Sequence, residues 1–463
     1  MKNLFLSLLI IISLFLSGCN KNEEPPTPEC NLDFLIKDTE GIPSNLTISS
    51  AYWVFGNQWN LHGNEVNYHL TEAHGHPDWI SDIENTDVKW VLDIETYLFD
   101  YDNHDLFPDI DDRINNLADL LKGKEDNVSL FYLSDEPYLN GKEITRTMLE
   151  TAISKIKAKF PGIPTYITFT QNYMLPVEND KPGTQPASKR GIPQGLDYIS
   201  FDWYSNYTDG SSSRNIEEKI KPTVEEIKKL NSGIKILLTA EAYDETLNDD
   251  QLPEAIFRYW DYAASDPQIV GIDHFSWADN PNFKGLTSLP KAQNIVKALS
   301  KEVRMFNGRQ PTDNKIPVYE WITNKINGVS SELRYDTWFW KNWTTSCYLI
   351  KEVKFYIRPA GEQNSSDLYL NYVLKENQDG TQWIDHQLSE DPMADGQTLA
   401  RTSKLLGSVY KTQEPGTSPL YVFISNAAGN DHAYSTDITE YDGVGGYEIA
   451  NNGESIGFVY AVN

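Results

Sequence analysis

Two glutamates in this chain each follow or end a short apolar run, and carboxylates paired in that way supply the acid, base and nucleophile that cleavage of a glycosidic bond requires. The first run, Val128 to Ser134, leads into Asp135-Glu136-Pro137; the second, Ile234 to Ala240, leads into Glu241. Runs of this length, rich in β-branched and aromatic residues, read as buried strands, and Pro137 stops the first of them. The acids therefore fall where strands end and loops begin.

The elements that must position these acids repeat along the chain. Strands are expected at Ile48 to Val54, Val66 to Leu70, Val88 to Ile94, Val128 to Leu133, Pro164 to Phe169, Tyr198 to Asp202, Ile234 to Ala240 and Val270 to Phe275. Amphipathic helical stretches at Ile110 to Leu121, Thr145 to Phe160, Ile216 to Leu230, Pro253 to Ala264 and Leu289 to Leu299 separate the later strands, while Asn57 to Asn64 reads as loop. Strands alternating with helices indicate parallel βα units, and eight of them close into a (β/α)8 TIM barrel of the α/β class, with its chemistry at the carboxyl ends of the strands. On that count Asp135 and Glu136 end the fourth strand and Glu241 ends the seventh.

Other strand ends are polar or aromatic as well: Asp93 and Glu95 after the third, Asp202-Trp203-Tyr204 after the sixth, and Ser276-Trp277 after the eighth. Asp202 reads equally as a ligand contact or a structural acceptor, and Asp93, Glu95 and Asp273 read as supports or exposed groups. The flat faces of Trp203, Trp277, Trp59 or Tyr243 suit stacking on a sugar ring. Beyond Asn307 the pattern changes: Gln310 to Asn314 reads as a linker, followed by strands at Cys347 to Ile357, Leu368 to Leu374, Leu405 to Tyr410, Leu420 to Ile424 and Ile456 to Ala461 between turn-rich clusters. This second domain, 308–463, is expected to be a C-terminal β-sandwich. Trp338, Trp340 and Trp343 open it, as packing residues or as a glycan platform.

Glutamates after strands four and seven make residues 45–307 resemble clan A of the retaining glycoside hydrolases, whose acid/base lies in an Asn-Glu-Pro motif and whose nucleophile ends strand seven. Ser134-Asp135-Glu136-Pro137 matches the Glu and Pro, with Asp135 in place of the Asn that contacts the sugar 2-hydroxyl. The resemblance implies Glu136 as acid/base, Glu241 as nucleophile, Asp135 at the place of the sugar contact, Tyr204 as the tyrosine that orients the nucleophile, and Trp277 as a sugar platform, while Asp202 and Trp203 are expected as substrate contacts from their own place after strand six. Two adjacent carboxylates also repel, which favours protonation within the pair and suits a general acid.

The amino terminus carries Lys2 and then an apolar stretch from Leu4 to Leu16, too short to span a bilayer. It reads as a signal segment over 1–18. Leu16-Ser17-Gly18-Cys19 resembles a bacterial lipobox, implying lipidation at Cys19, a tether over 19–44 and attachment to the outer membrane; Asn20 to Glu24 resembles the export tag of Bacteroidetes surface lipoproteins. With a formal charge of −28 across 463 residues, nucleic acid is excluded as a partner and a polyanionic polysaccharide disfavoured, leaving neutral or cationic glycans. His69, His74 and His76 lack diagnostic metal spacing, no glycine-rich phosphate loop or Gly-x-Ser-x-Gly elbow is present, and no metal or cofactor is expected. Cys30 and Cys347 lie in different expected domains, and their spacing does not establish a disulfide. The sequence thus reads as a glycosidase, with two rivals: a non-catalytic surface glycan-binding protein on the same barrel, and a metal-dependent hydrolase.

Overall fold

The computed structural model describes residues 48–51, 68–72, 89–139, 142, 144–170, 191–203, 216–244, 247–306, 315–323, 333–336, 348–376, 382–392, 398–425, 431–444 and 446–462. Eight strands form the amino-terminal sheet: β1 (Ile48–Ala51), β2 (Tyr68–Glu72), β3 (Lys89–Asp93), β4 (Val128–Asp135), β5 (Thr165–Thr170), β6 (Tyr198–Asp202), β7 (Lys235–Glu241) and β8 (Ile269–Phe275). Every paired neighbour is parallel, in the order β1-β8-β7-β6-β5-β4-β3-β2. The two ends of that path, β1 and β2, come within 8 Å between Cα atoms, so the sheet curls round on itself. All eight expected strands are present within a few residues of their expected bounds.

Side-chain alternation sorts these strands into two layers. Ile48, Val91, Leu130, Tyr132, Tyr166, Tyr198 and Leu237 pack together inside the curl. Their alternates, among them Leu92, Phe131, Leu133, Ile167, Phe169, Ile199, Phe201, Ile236 and Leu238, pack outward beneath the helices. Those helices are α1 (Ile110–Leu121), α2 (Arg146–Lys159), α3 (Lys221–Leu230), α4 (Leu252–Ser265) and α5 (Pro290–Phe306). Spacing shows why they dock: α1 buries Ile110, Ile114, Leu117 and Leu121, a single stripe. Thr145 caps α2 by accepting the Met148 N–H at 3.3 Å. At Gly271, paired with Ile48, a Cβ would lie 2.5 Å from the Ile48 carbonyl oxygen, so glycine is what lets β8 and β1 approach.

The carboxyl-terminal domain is built from β9 (Ile316–Thr323), β10 (Leu333–Asp336), β11 (Tyr348–Ile357), β12 (Ser365–Glu376), β13 (Gln382–Ser389), β14 (Leu399–Tyr410), β15 (Thr417–Pro419), β16 (Tyr421–Ser425), β17 (Asp431–Ser435), β18 (Tyr447–Ile449) and β19 (Phe458–Ala461). One sheet runs β10-β9-β11-β19-β14-β12-β13, with β15 on β19, and a three-stranded sheet β17-β16-β18 accompanies it. Their shared core includes Val318, Phe355, Leu370, Val409, Phe423 and Tyr434. The expected sandwich is therefore present with more strands than the sequence reading drew. Those missed, such as β9 with Pro317 and Glu320 or β13 with Asp385, His386 and Gln387, carry polar or strand-breaking residues that mask the apolar alternation.

This domain docks on the helices of the barrel. Glu254 of α4 accepts the Ile350 N–H at 2.9 Å, and Phe257 meets Trp321 edge-on with ring centroids 5.0 Å apart. Beside that seam Glu320 is fully buried, accepting the hydroxyls of Tyr335 at 2.9 Å and Tyr441 at 2.6 Å and pairing with the ammonium groups of Lys351 and Lys354. Burial by itself raises the Glu320 carboxyl, but Lys354 and Lys351 outweigh it and hold the group down at about 2. A carboxyl depressed in the fold stabilises above its unfolded pKa, and that contribution drains away as pH falls toward the folded value. Between roughly pH 4.5 and pH 2 the protein is therefore expected to lose on the order of 3 kcal/mol through this group. Denaturant titrations of parent and Glu320→Gln across that window check this: the stability gap between them should narrow as pH falls, and a gap independent of pH would refute the assignment.

Candidate active site at the carboxyl ends of the barrel strands

The end of β4 is shaped by an irregularity in its pairing with β5, where the register steps from Tyr132 opposite Tyr166 to Asp135 opposite Thr168. The step brings Asp135 to the inner face, and the Tyr132 hydroxyl donates to its Oδ1 at 2.7 Å. Glu136 follows with φ of +45°, the left-handed region that a glutamate enters at a cost of about 1 to 3 kcal/mol. Two contacts with β5 hold it there. Its N–H donates to the Thr168 carbonyl at 2.9 Å, and the Thr170 hydroxyl donates to its Oε1.

Thr170 stands opposite Asp202 in the pairing of β5 with β6. The Asp202 carboxyl lies close to that of Glu136, and its Oδ1 is buried without a donor among the described residues. Accordingly Asp202 is raised well above the ordinary carboxylate range, first by burial and then by the negative charges of Glu136 and Asp135. Asp135 is itself raised to about 6 by burial, although Lys142 and the bond from Tyr132 pull the other way. Of the three carboxyl groups at these two strand ends, Asp135 and Asp202 are thus pushed toward their protonated forms.

Beneath them Glu95, buried at the end of β3, acts as an anchor. Its Oε1 accepts the Ser134 hydroxyl at 2.7 Å, the Asp135 N–H at 3.1 Å, the Lys142 ammonium at 3.1 Å and the Tyr101 hydroxyl. Lys142 also donates to the Asp135 carbonyl, so one carboxylate and one lysine fix the backbone that carries Asp135 and Glu136. Asp93 supports this anchor by accepting the Glu95 N–H at 2.9 Å. Lower in the barrel, fully buried Asp273 on β8 accepts the Tyr166 hydroxyl of β5 at 3.0 Å. Asp93, Glu95 and Asp273 are therefore supports.

Glu241 is the last residue of β7 and is 2% exposed. It lies two positions beyond Thr239, which pairs with Asp202 in register and whose hydroxyl bonds to Ser200 at 2.5 Å, so Glu241 continues the same inner face. Opposite it on β8 is Phe275, whose carbonyl accepts the Ala242 N–H at 2.6 Å. Glu136, Thr170, Asp202 and Glu241 thus occupy the carboxyl ends of the four consecutive strands β4 to β7.

The aromatic expectations fare differently. Trp277 is fully buried in the helix-side core and exposes no face for a sugar to stack on, which corrects its reading as a platform; a large apolar ring beside β8 has more surface to gain from the core than from solvent. Trp203 packs against the same core with the Lys219 ammonium 5.3 Å from its ring centroid, on the helix side of the position next to Asp202. Tyr243 is buried between Phe275 and Phe283, with ring centroids at 5.6 and 4.6 Å. Tyr204, Trp59, Trp338, Trp340, Trp343, Cys19, Cys30, Cys347, His74 and His76 lie outside the described residues, as do both amino-terminal segments. Thr170, Tyr132 and Lys142 were missed by the sequence reading. Thr170 was findable, as the polar residue ending the β5 run; Lys142 stands in a loop with no pattern to mark it.

No family model matches the chain, and no curated protein matches it. Among solved structures it is similar to xylanase 10B from Thermotoga maritima, at 14% identity over 58% of this chain and 98% of that one with a TM-score of 0.37. It is also similar to a family 5 mannosidase from Rhizomucor miehei, at 12% identity over 58% and 95% with a TM-score of 0.38. A third similar structure is β-glucuronidase 2 of Bacteroides uniformis, at 10% identity over 90% of this chain and 64% of that one with a TM-score of 0.40. The fold assignment rests on the strand order and register given above.

Proposed function

We propose that this protein is a glycoside hydrolase that cleaves a neutral or cationic polysaccharide or oligosaccharide by a two-glutamate, configuration-retaining mechanism. The observation that carries the reading is the grouping of Glu136 and Glu241 at one end of one parallel barrel, with Glu136 bonded to Thr170 and close to Asp202. In the first step the proton held by the Glu136–Asp202 pair passes through Glu136 to the departing glycosidic oxygen. The Glu241 carboxylate attacks the anomeric carbon, the glycosidic bond breaks and a glycosyl ester forms. In the second step Glu136, now a base, takes a proton from water as that water displaces Glu241, and the starting state returns.

Asp135, held near pH 6, and Asp202 supply polar contacts to sugar hydroxyls, and Glu95 with Lys142 keeps the acid's backbone in place. The dense carboxyl grouping and the chain charge of −28 support an uncharged or cationic substrate over a polyanion. We further propose that lipidation at Cys19 holds the protein on the outer membrane, facing the polymer. The test is incubation with β-glucans, xylan, mannan, chitosan and polygalacturonate, with released sugars identified and the anomer first formed read by NMR. Release of sugar with retained configuration supports the reading. Inversion overturns the mechanism, and binding without release overturns catalysis in favour of a glycan-binding protein.

A further inference from the structure

We infer that the carboxyl-terminal domain carries a second glycan site, a cleft between its two sheets that takes an uncharged sugar unit. The cleft has a volume of about 690 Å³, within the usual range for small-ligand sites. At its back stands Asp385, fully buried, and its Oδ2 accepts from two side chains at once: His432 Nδ1 at 2.9 Å and Gln387 Nε2 at 2.6 Å. Lys375, 3.9 Å away, balances its charge. A carboxylate only accepts, so His432 carries its proton on Nδ1. What remains of each side chain, His432 Nε2 and Gln387 Oε1, has no partner among the described residues, and both residues line the cleft. Gln387 is 8% exposed and its Nε2 is held by Asp385, so the small exposed part of the side chain is presented to the cleft in a set orientation.

The ligand class follows from those atoms. With the ring neutral, Nε2 and Oε1 are two acceptors held by one group, and two acceptors require two donors. Neighbouring hydroxyls of a pyranose supply them. The lining also includes the half-buried side chains of Ile424, the cross-strand neighbour of His432, and of Ile456 and Phe458, apolar surface that suits the C–H face of a sugar ring. The carboxylates of Glu390 and Asp391 stand at the same cleft and disfavour an anion, with Lys411 the single lysine in its lining. Tyr434 accepts the Leu388 N–H at 2.8 Å and so ties the small sheet to the large one across the cleft. The site is therefore braced before a ligand arrives, which lowers the entropic cost of binding.

This site does not depend on the barrel being a hydrolase, and the experiment separates the two. Full-length protein is titrated calorimetrically with hexasaccharides of xylan, cellulose, β-1,3-glucan and mannan, with a galacturonate hexamer and spermidine as charged controls. At least one neutral hexasaccharide should bind, and Ser455→Trp, which adds bulk to the cleft and leaves Asp385, His432 and Gln387 unsubstituted, should weaken that binding at least tenfold with an unchanged melting temperature. Gln387→Leu should weaken it as well. Hydrolysis of small substrates, where present, should be the same in parent and Ser455→Trp. Binding by the charged controls alone, no binding by any neutral sugar, or affinity unchanged in Ser455→Trp would each overturn the assignment. Absence of hydrolysis with cleft binding intact counts against the barrel proposal alone.

Discussion

Glu241→Gln is expected to lower turnover of the natural glycan by roughly 10⁴-fold or more while leaving the fold and glycan binding in place. The substitution preserves shape at a position 2% exposed on the inner face of β7, so the barrel has no reason to repack. What it removes is the anionic oxygen that forms the bond to the anomeric carbon. No other described carboxylate is expected to take over, because Glu136 and Asp135 stand at the end of β4, held by Thr170 and Tyr132, and Asp202 is pushed toward its protonated form. Rates on the polymer and on an aryl glycoside, with calorimetric binding to the same polymer, check this. A variant retaining a tenth of the parental rate would remove Glu241 from the mechanism.

Replacement of Glu136 should produce a different signature. Glu136→Gln is expected to cost several orders of magnitude on substrates with poor leaving groups and far less on activated aryl glycosides, which depart without a proton. Azide added to Glu136→Ala should attack the anomeric carbon of the accumulated ester, expel Glu241 and yield a glycosyl azide of retained configuration. An inverted azide would mean that no ester had formed. The partner carboxyl adds a pH test. Asp202 is raised by burial and by the charges of Glu136 and Asp135, so it keeps its proton to higher pH than an isolated carboxyl does, and if it supplies that proton to Glu136, activity is lost as pH rises through its titration. Asp202→Asn removes both the repulsion and the second carboxyl. The alkaline limb of kcat/KM should therefore move to lower pH, and a limb that stays where it was would show that the two groups do not share the acid function.

Much of this site is legible in the sequence because a parallel barrel writes its strand ends plainly. β4 and β7 are buried on both faces, so Val128 to Ser134 and Ile236 to Ala240 read as unbroken runs, and the first acid after each run is at the carboxyl edge by construction. The second domain was less legible. Its strands hold buried polar groups, such as Glu320 in β9 and Asp385 in β13, whose satisfaction depends on lysines, tyrosines and histidines from other strands. No local pattern announces a partner that is remote in the chain.

By itself, then, the sequence determined the alternation of strands and helices, the position of Glu136 and Glu241 at strand ends, and the net charge of −28, since periodicity, strand termination and net charge are local or additive properties. Only the tertiary structure decided that Trp277 is core and Tyr243 part of an aromatic cluster. It alone set Glu95 and Lys142 as the brace beneath Glu136 and brought Asp202 close enough to Glu136 and Asp135 for their charges to raise it. Those outcomes depend on which groups from distant strands lie within hydrogen-bond reach and on how much water they exclude, and only closure of the sheet fixes both.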